Sequence, residues 1–530
     1  MFQRAVFCNP VKGGETVTVS GVVTSAEDKQ PLIGVNVISG SATGVSTLAD
    51  GSYSIEVAPG TTLIFQYIGY KPVEYVVPEG QTHVTFNLEM QSDSQALEDV
   101  VVIAYGVRKK GTIAGSVSTV KAEKIESTPT AAFDQALQGQ VPGLTVLSNS
   151  GEPSEATIMT IRGTNSINSG TEPLFVLDGV VISSSDFNMI NPADIESISV
   201  LKDASSTSIY GARAANGVVL VTTKQGKEGK TKVTYDFSYG WQSVAKKRNV
   251  LNASEYAMMM NEGSINSGVA PIYTNPASYG TGTDWQKEVF NNNAPVMNHQ
   301  VSVSGGSSRV NYLFSVGYYD QEGVIGGNFD RSDYQRFTLR SNVGATLFDM
   351  SEKRTWLNKA TIQTNLAYTR IKSRGIETNS TWGSPLGSAL AMSPILTPYL
   401  EKGSAEEAAQ LDYLKDQAAY VPMYGPDGRL VMVPTAFGNF QEMSNPIANL
   451  SLPGNKNWSH KFVGNFTGDL QIWDNLHYRI SYGADLSFWG YDGYTPIYYL
   501  RDGGYSDHSS TTSTSERGLV WQIENLLSYD

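Results

Sequence analysis

The residue types that usually carry catalysis are scattered through this sequence. The five histidines lie far apart, and none has a second ligand at the spacing that zinc sites use. Ser118 and Lys121 form a Ser-x-x-Lys pattern, but the Ser-Asp-Asn and Lys-Thr-Gly motifs of penicillin-binding enzymes do not accompany it. Carboxylates are too dispersed to predict a glycosidase pair, and there is no nucleotide-binding fingerprint. We therefore predict no catalytic residue, metal site or cofactor, and a protein that is not an enzyme.

One stretch of the chain could form hydrogen bonds to a partner through its backbone. It consists of Leu97, Glu98, Asp99, Val100, Val101, Val102, Ile103, Ala104 and Tyr105. Its β-branched residues favour an extended chain, and it lies between a polar linker and a basic run at 108–110. Such a strand can bind a partner by adding itself to the edge of the partner's sheet. An ordinary buried strand is the alternative interpretation.

Bulk composition limits the classes of protein to consider. A chain of 530 residues is long enough for two to four domains, and its net charge of −13 with no basic stripe argues against nucleic acid as a partner. The single cysteine, Cys8, rules out an internal disulfide. The apolar core of residues 1–15 is too short for a signal peptide, and the sequence ends inside a strand-like segment. We expect a cytosolic protein or, more in keeping with the rest, a chain whose two ends are cut and whose signal peptide is missing.

Three patterns follow one another along the chain. Residues 16–92 contain seven short alternating strands, with Asp50 and Gly51 as a hairpin turn, which predicts an Ig-like β-sandwich. Residues 111–228 mix short strands with a helix near 204–210, which predicts a compact α+β unit. Residues 229–530 contain about eight longer strands with one apolar face, so the chain as a whole is mainly β.

The strands of the third region have the properties of a transmembrane β-barrel. They are about ten residues long and rich in aromatic residues. Short connections at 304–308 and 474–475 alternate with long ones at 250–297 and 373–460, as in outer-membrane barrels. The alternative is a soluble sandwich with one wet face.

Motifs in the second region resemble the plug domain of TonB-dependent outer-membrane transporters. They are Ile161-Arg162-Gly163, residues 173–180 (Pro-Leu-Phe-Val-Leu-Asp-Gly-Val), 194–204 (Asp-Ile-Glu-Ser-Ile-Ser-Val-Leu-Lys-Asp-Ala) and 209–218 (Ile-Tyr-Gly-Ala-Arg-Ala-Ala-Asn-Gly-Val). The variant is similar to the SusC/RagA branch, whose N-terminal extension is the carboxypeptidase regulatory-like domain that 16–92 resembles. The plug motif residues are Arg162, Gly163, Asp178, Gly179, Glu196, Lys202, Asp203, Tyr210, Gly211, Arg213, Asn216 and Gly217.

This resemblance implies a domain order. It consists of a leader remnant (1–15), a carboxypeptidase regulatory-like sandwich (16–92), a linker with the TonB box at 97–105 (93–110), the plug (111–228) and the N-terminal part of the barrel (229–530). The family barrel has about 22 strands, and only such a wide barrel holds a folded plug. With about eight strands here, we expect the C-terminal part of the barrel to be missing.

The resemblance also implies a function. Members import oligosaccharides, or oligopeptides in the RagA type, across the outer membrane, with energy from TonB–ExbB–ExbD and with a SusD-like surface lipoprotein. The N-terminal domain and the TonB box would be periplasmic, and the barrel would contact outer-membrane lipid. A non-transporting β-rich surface adhesin is the remote alternative.

Two further questions remain open in the sequence. The charged residues Arg162, Glu196, Lys202, Asp203 and Arg213 could hold the plug to the barrel wall or form a solvated surface. The substrate site is undetermined. Aromatic residues of the long connections suit either sugar stacking or packing against the lipoprotein; they are Trp382, Tyr399, Tyr420, Tyr424 and Trp458.

Overall fold

The computed structural model describes most of the chain in two compact units, residues 1–113 and 114–530. The described residues are 16–26, 29–39, 43–67, 70–91, 100–103, 106–109, 117–122, 124, 137–147, 152–153, 157–166, 170–187, 189–203, 207–350, 356–378, 380, 383–438 and 443–529. Across these ranges, no helix has both the length and the apolar character needed to cross a membrane.

The first unit contains the predicted β-sandwich. Its strands are β1 (Val17–Ser25), β2 (Asn36–Ser39), β3 (Thr43–Ser46), β4 (Ser52–Val57), β5 (Thr62–Gln66), β6 (Val73–Val76), β7 (His83–Thr85) and β8 (Leu88–Met90). One sheet has the order β4-β1-β7, with β8 also pairing with β1, and the other has the order β3-β2-β5-β6. Apolar side chains from both sheets, such as Val19, Ile55 and Phe65, form one buried core.

The predicted hairpin at Asp50 and Gly51 is wrong, although the turn exists. Gly51 has a φ of 76°, the left-handed conformation that glycine adopts without strain. However, β3 and β4 belong to different sheets, so the turn carries the chain from one layer of the sandwich to the other. Thr47 helps to redirect the chain, because its hydroxyl donates to Leu32 O at 2.6 Å and accepts from Val35 N at 2.9 Å.

Two short strands complete the described part of this unit. They are β9 (Val100–Ile103) and β10 (Gly106–Lys109), which pair with each other in antiparallel fashion.

A substitution at Gly21 would test how closely the sandwich is packed. It lies in β1 between the residues that pair with β7 and those that pair with β8, and a Cβ there would lie 1.9 Å from Phe86 O. We expect Gly21→Ala to lower the free energy of unfolding of this unit by about 1–3 kcal/mol because backbone must shift. Urea unfolding read by pulse proteolysis measures the change, with Ser54→Ala at an exposed strand position as the control. Equal midpoints for the two variants would contradict the prediction.

The second unit begins with the mixed α+β domain that the sequence predicts. Its strands are β11 (Val117–Lys121), β12 (Leu144–Leu147), β13 (Ile158–Ile161), β14 (Leu174–Leu177), β15 (Val180–Ile182), β16 (Ile195–Leu201) and β17 (Val218–Thr223). The main sheet has the order β11-β16-β17-β14-β15, and β12 pairs with β13. Short helices span Ser184–Phe187, Pro192–Asp194 and Ser208–Ala214; of the helix expected near 204–210, residues 207–210 are helical and residues 204–206 lie outside the described residues. We call this domain the plug.

A large antiparallel sheet follows the plug. The strands of this region are β18 (Gly229–Gln242), β19 (Ala294–Gly306), β20 (Val310–Glu322), β21 (Asp333–Asp349), β22 (Lys359–Arg374), β23 (Tyr399–Leu400), β24 (Leu430–Val431), β25 (Lys456–Trp473), β26 (Leu476–Thr495), β27 (Tyr498–Arg501), β28 (Gly504–Ser506) and β29 (Ser510–Tyr529). Eight of them pair in the order β18-β19-β20-β21-β22-β25-β26-β29, which leaves the sheet open. We call this sheet the wall.

The wall has the polarity of a membrane barrel. Phe314 is 47% exposed and Leu339 is 41% exposed on its outer face, whereas Ser315 and Arg340 of the same strands are buried under the plug. A soluble sandwich would place apolar residues inside and polar residues outside. The observed inversion suits a sheet whose outer face meets lipid, so the barrel-type sheet is confirmed and the wet-faced sandwich is excluded.

The long connections fold together into a loop domain, which consists of residues 243–293, 323–332, 375–455 and 496–509. Its helices are Ala253–Asn266, Pro276–Tyr279, Trp285–Val289, Gly327–Phe329, Pro385–Ala391, Ala405–Lys415, Pro434–Phe437 and Pro446–Ser451. Buried side chains from three connections share one core, and Trp285 Nε1 donates to Ser393 O at 2.9 Å. The short turns, including 474–475, lie at the other end of the strands, as predicted.

Candidate functional site

The plug is seated on the wall through the turn between β14 and β15. Asp178 and Gly179 are the two residues of this turn, with φ values of 47° and 89°. Positive φ at both positions is what a type I′ hairpin turn requires, and Asp-Gly is a favoured sequence for it. The local sequence therefore fixes a tight projection at this edge of the plug.

Amide side chains of the wall hold the backbone of the turn. Asn465 Nδ2 donates to Asp178 O at 2.7 Å, and Gln522 Nε2 donates to Gly179 O at 2.7 Å. Gln522 also accepts from Val181 N at 3.4 Å. The turn thus exchanges hydrogen bonds with two strands of the wall at once.

The carboxylate of Asp178 is bound from both the plug and the wall. Thr223 of β17 donates its backbone N–H to Oδ1 at 2.9 Å and its hydroxyl to Oδ2 at 2.5 Å. From the wall, Asn365 Nδ2 donates to Oδ2, and Arg340 Nη2 lies 3.9 Å from it. Arg340 has a side chain only 4% exposed. A buried charge is tolerable when a counter-charge and hydrogen bonds surround it, as they do here.

Arg340 connects several plug segments to the wall. Its Nη1 donates to Asp194 O at 3.3 Å, and its Nη2 donates to Thr223 Oγ1 and to Asn365 Oδ1, the latter at 3.3 Å. Because one guanidinium bridges the ends of two plug strands, its position fixes how the plug sheet meets the wall.

Strand register brings these wall residues together. Asn365 of β22 pairs with Asn465 of β25, Asn465 pairs with Gly483 of β26, and Gly483 pairs with Gln522 of β29. Directly paired residues present their side chains on the same face. We call Asn365, Asn465 and Gln522 the amide row. Gly483 is the gap in it, because a Cβ there would lie 2.7 Å from Val180 Cγ2.

A second polar contact lies at the start of β16. Asp194 Oδ1 accepts from Gln300 Nε2 at 3.1 Å and from Ser315 Oγ at 2.7 Å. Asn191 Nδ2 donates to Gln300 Oε1 at 2.7 Å. Gly317 provides the space, since a Cβ there would lie 2.4 Å from Asn191 Nδ2. All of these polar side chains are buried, so the contact is a satisfied polar network inside the protein.

Between the two contacts lies a cavity of about 50 Å³, lined by both polar and apolar groups of plug and wall, among them Asp178, Asp194 and Arg340. This volume is large enough for a few water molecules. We call the two contacts and this cavity the seat. The seat combines directed polar contacts with apolar ones, since Val463 packs against the plug core and Met189 packs against a wall cluster that includes Ile371, and it is not closely packed throughout. Polar contacts of this kind can be exchanged for contacts with water when the plug moves.

A third contact joins the plug to the loop domain. Ser332 Oγ donates to Glu152 Oε1 at 2.8 Å, and both residues are buried. Burial lowers the pKa of the neighbouring Arg331, and so does the charge of Arg374, whereas Glu152 acts in the opposite direction. The plug is thus linked to the connection between β20 and β21 as well as to the wall.

The charged motif residues lie elsewhere. Arg162 pairs with Asp203 at 2.6 Å and donates to Lys202 O at 3.1 Å. Lys202 Nζ donates to Ser118 Oγ and to Pro142 O, both at 2.7 Å. These groups hold plug segments to one another at the Leu201 end of β16, the opposite end from the seat, and the side chains of Arg162 and Asp203 are 52% and 30% exposed.

The remaining motif residues shape the plug locally. Glu196 forms an exposed pair with Lys227 at 3.6 Å, and Arg213 is exposed. Asn216 Nδ2 donates to Gly170 O at 2.8 Å. Tyr210 packs beside a buried cluster that includes Leu201 and Val218. Left-handed backbone conformations occur at three motif glycines, Gly163, Gly211 and Gly217.

Of the TonB box, Val100, Val101, Val102 and Ile103 form β9, which is extended as predicted and paired with β10. Leu97, Glu98, Asp99, Ala104 and Tyr105 lie outside the described residues.

The aromatic residues singled out in the connections have mixed surroundings. Tyr420 and Tyr424 are exposed. Tyr399 is half-buried beneath Arg429, whose guanidinium lies 5.1 Å from the ring centre, and burial raises the pKa of its hydroxyl. Trp458 lies in β25 near His460, and Trp382 falls outside the described residues.

The sequence reasoning named Asp178 and Gly179 but missed their partners. A signal for them exists in β21, where Thr338 and Arg340 alternate with Phe337 and Leu339. Polar residues at every second position of a lipid-facing strand mark the face that meets the plug. The identity of each plug–wall pair depends on register between distant strands, which no local pattern gives.

Family models and relatives agree with this architecture. The TonB-dependent receptor plug domain matches residues 109–218, and the CarboxypepD_reg-like domain matches residues 19–102. The TonB-dependent receptor SusC of Bacteroides thetaiotaomicron is 32% identical over 89% of this chain and 44% of its own length. The TonB-dependent receptor P26 of Formosa agariphila is 32% identical over 96% of this chain and 47% of its own length. The chain thus spans about half the length of these relatives.

A solved structure shows the same fold. The RagAB peptide importer in its open-open state superposes with a TM-score of 0.63 at 26% identity, covering 81% of this chain and 46% of that one. A plug seated on the inner face of a strand wall defines the TonB-dependent receptors. Within that class, this chain is similar to the SusC-like receptors, at 32% identity over most of its length. These names describe receptors and an importer, and with them the prediction that the chain is not an enzyme is confirmed.

A substitution of Arg340 would test the contact between the plug and the wall. We expect Arg340→Met to destabilise the seated plug by about 3–5 kcal/mol, because it leaves the Asp178 carboxylate buried without its cation. Limited proteolysis of the plug in the intact protein measures the effect, with Arg370→Met at an exposed position of β22 as the matched control. Adding Asp178→Asn to Arg340→Met should recover part of the loss, since the uncompensated charge is then gone. Equal protease resistance of the Arg340 and Arg370 variants would contradict this assignment.

Proposed function

We propose that this chain provides the plug and part of the barrel of an energised outer-membrane importer. The observation that carries the proposal is the seat, in which a folded domain is held on the inward polar face of the wall by exchangeable hydrogen bonds. A plug held this way blocks the lumen at rest. It can leave its seat when pulled, because water replaces the lost hydrogen bonds and the net cost of each is small.

Energy for this movement has to arrive mechanically. The outer membrane holds neither ATP nor an ion gradient, so a partner anchored in the inner membrane has to pull. Strand β9 supplies a segment on which the partner could pull, since it is extended and precedes the plug in the chain. We call this strand, Val100–Ile103, the handle. A TonB-type protein, driven by ExbB–ExbD, would add its own strand to β9, and pairing along the length of a strand resists shear.

Two observations support a proposed substrate class. Oligosaccharides are the proposed substrate, as the SusC resemblance implies, and oligopeptides are the alternative that the likeness to the RagAB peptide importer favours. Exposed Tyr420 and Tyr424 offer aromatic surfaces on which sugar rings stack. The contact between Glu152 and Ser332 gives the loop domain a direct connection to the plug. The comparisons give no support to the adhesin alternative.

Removal of the handle tests the mechanism. Deleting residues 97–105 in the native host should abolish uptake but leave substrate binding nearly intact, because the proposed binding region lies in the loop domain. Labelled-substrate binding to cells and growth on that substrate as sole carbon source measure the two effects. Normal growth would refute the transport mechanism. Loss of binding together with growth would mean that the segment is a structural strand.

A lipoprotein lid is the proposed partner on the outer surface. We expect a SusD-like lipoprotein to contact the loop domain, whose size and exposed aromatic residues suit an interface. Purification of the tagged protein from membranes in mild detergent should bring this lipoprotein with it. Substitution of Tyr420 and Tyr424 by serine should weaken the association more than Arg370→Met does. If no lipoprotein is recovered with the unsubstituted protein, the partner is wrong.

A further inference from the structure

One edge of the handle strand is paired with β10, and no strand among the described residues pairs with its other edge, which we call the open edge. Strand β9 pairs with β10 over four residue pairs, from Ile103 opposite Gly106 to Val100 opposite Lys109. Two residues separate Ile103 from Gly106 in the sequence. A two-residue connection closes on a pair whose members are hydrogen-bonded to each other.

The register then fixes the direction of every backbone group in β9. Hydrogen-bonded and non-hydrogen-bonded pairs alternate along an antiparallel ladder. Ile103 and Val101 therefore direct their N–H and C=O groups toward β10. Val102 and Val100 direct theirs to the opposite side, which is the open edge of β9.

We propose that the partner strand joins β9 only at this open edge, through the backbone of Val100 and Val102, and that β10 stays paired while it docks. The partner's sheet would then gain a hairpin and not a single strand. This inference rests on the proposed function. It adds which edge of β9 binds the partner, which residues form the hydrogen bonds, and that β9 remains part of a hairpin.

Free energy favours this mode over displacement of β10. Replacing β10 would break its ladder in order to form a similar one, with no net gain of hydrogen bonds, whereas joining the open edge adds a ladder to the existing one. The hairpin also holds β9 extended before docking, so less conformational entropy is lost when the partner strand binds. A two-stranded hairpin is itself marginally stable, and a third strand stabilises it.

A reversible disulfide between β9 and β10 distinguishes binding at the open edge from displacement of β10. Val100 and Lys109 form a non-hydrogen-bonded pair, whose close Cα spacing suits a disulfide. Val100→Cys with Lys109→Cys, in a background in which Cys8, the one cysteine of this sequence, is replaced by serine, should close the hairpin when oxidised. The readout is binding of the intact detergent-purified protein to the purified C-terminal domain of the host TonB, with each single-cysteine variant as a control.

Undiminished binding in the oxidised state is expected. Loss of binding on oxidation, restored by reductant, would overturn the inference because it would mean that β10 has to leave. Two proline variants give an independent test, since each removes one backbone donor from a different side of β9. Val102→Pro should abolish binding, and Val101→Pro, whose donor faces β10, should weaken it much less. The reverse order would also overturn the inference.

Failure of the proposed function looks different. In that case, the protein lacking residues 97–105 would bind the TonB domain as well as the intact protein does. If that deletion abolishes binding and the oxidised disulfide does too, the handle is real and only the choice of edge is wrong.

Discussion

A lipid-facing sheet has to turn its polar side chains inward, and this constraint determines how the plug is held. The inner face of the wall carries residues such as Arg340 and Asn365, which cannot be buried against an ordinary apolar core. The plug meets them with backbone carbonyls, a carboxylate and a threonine hydroxyl at the ends of its strands. Burial of these polar side chains without partners would destabilise a protein. Here each of them forms directed hydrogen bonds with the plug, and water can replace those bonds when the plug moves. The interface can therefore be specific and still be released.

Glycines make this arrangement sterically feasible. At Gly483 a side chain would collide with Val180, and at Gly317 it would collide with Asn191. Both glycines lie in the wall opposite plug residues that insert between neighbouring polar groups. Two gaps in otherwise regular strands thus set the distance between plug and wall, and the hydrogen-bonding side chains then fix its orientation.

The sequence predicted those elements whose signals are local. The strands of the sandwich and of the plug follow from alternation, and the tight turn at Asp178 and Gly179 follows from its two residue types. The layer change after Asp50 was missed, because the same turn chemistry serves a hairpin or a connection between sheets. The loop domain was missed as a folded body, since buried residues such as Trp285 and Ile447 follow no strand period and meet only across distant connections. The seat was missed because Arg340 and Asp178 are brought together by register, which depends on the whole sheet.

The amide row also has a consequence for assembly. Asn365, Asn465 and Gln522 come from strands that are far apart in the chain, and they align only when three successive strand pairings are in register. A slip of one residue in any of these strands would turn its amide to the lipid side and bring an apolar side chain inward. The plug would then find a mismatched surface and would not seat. Seating of the plug thus requires β22, β25, β26 and β29 to be in register at the same time, so that one docking contact depends on four strands of the wall.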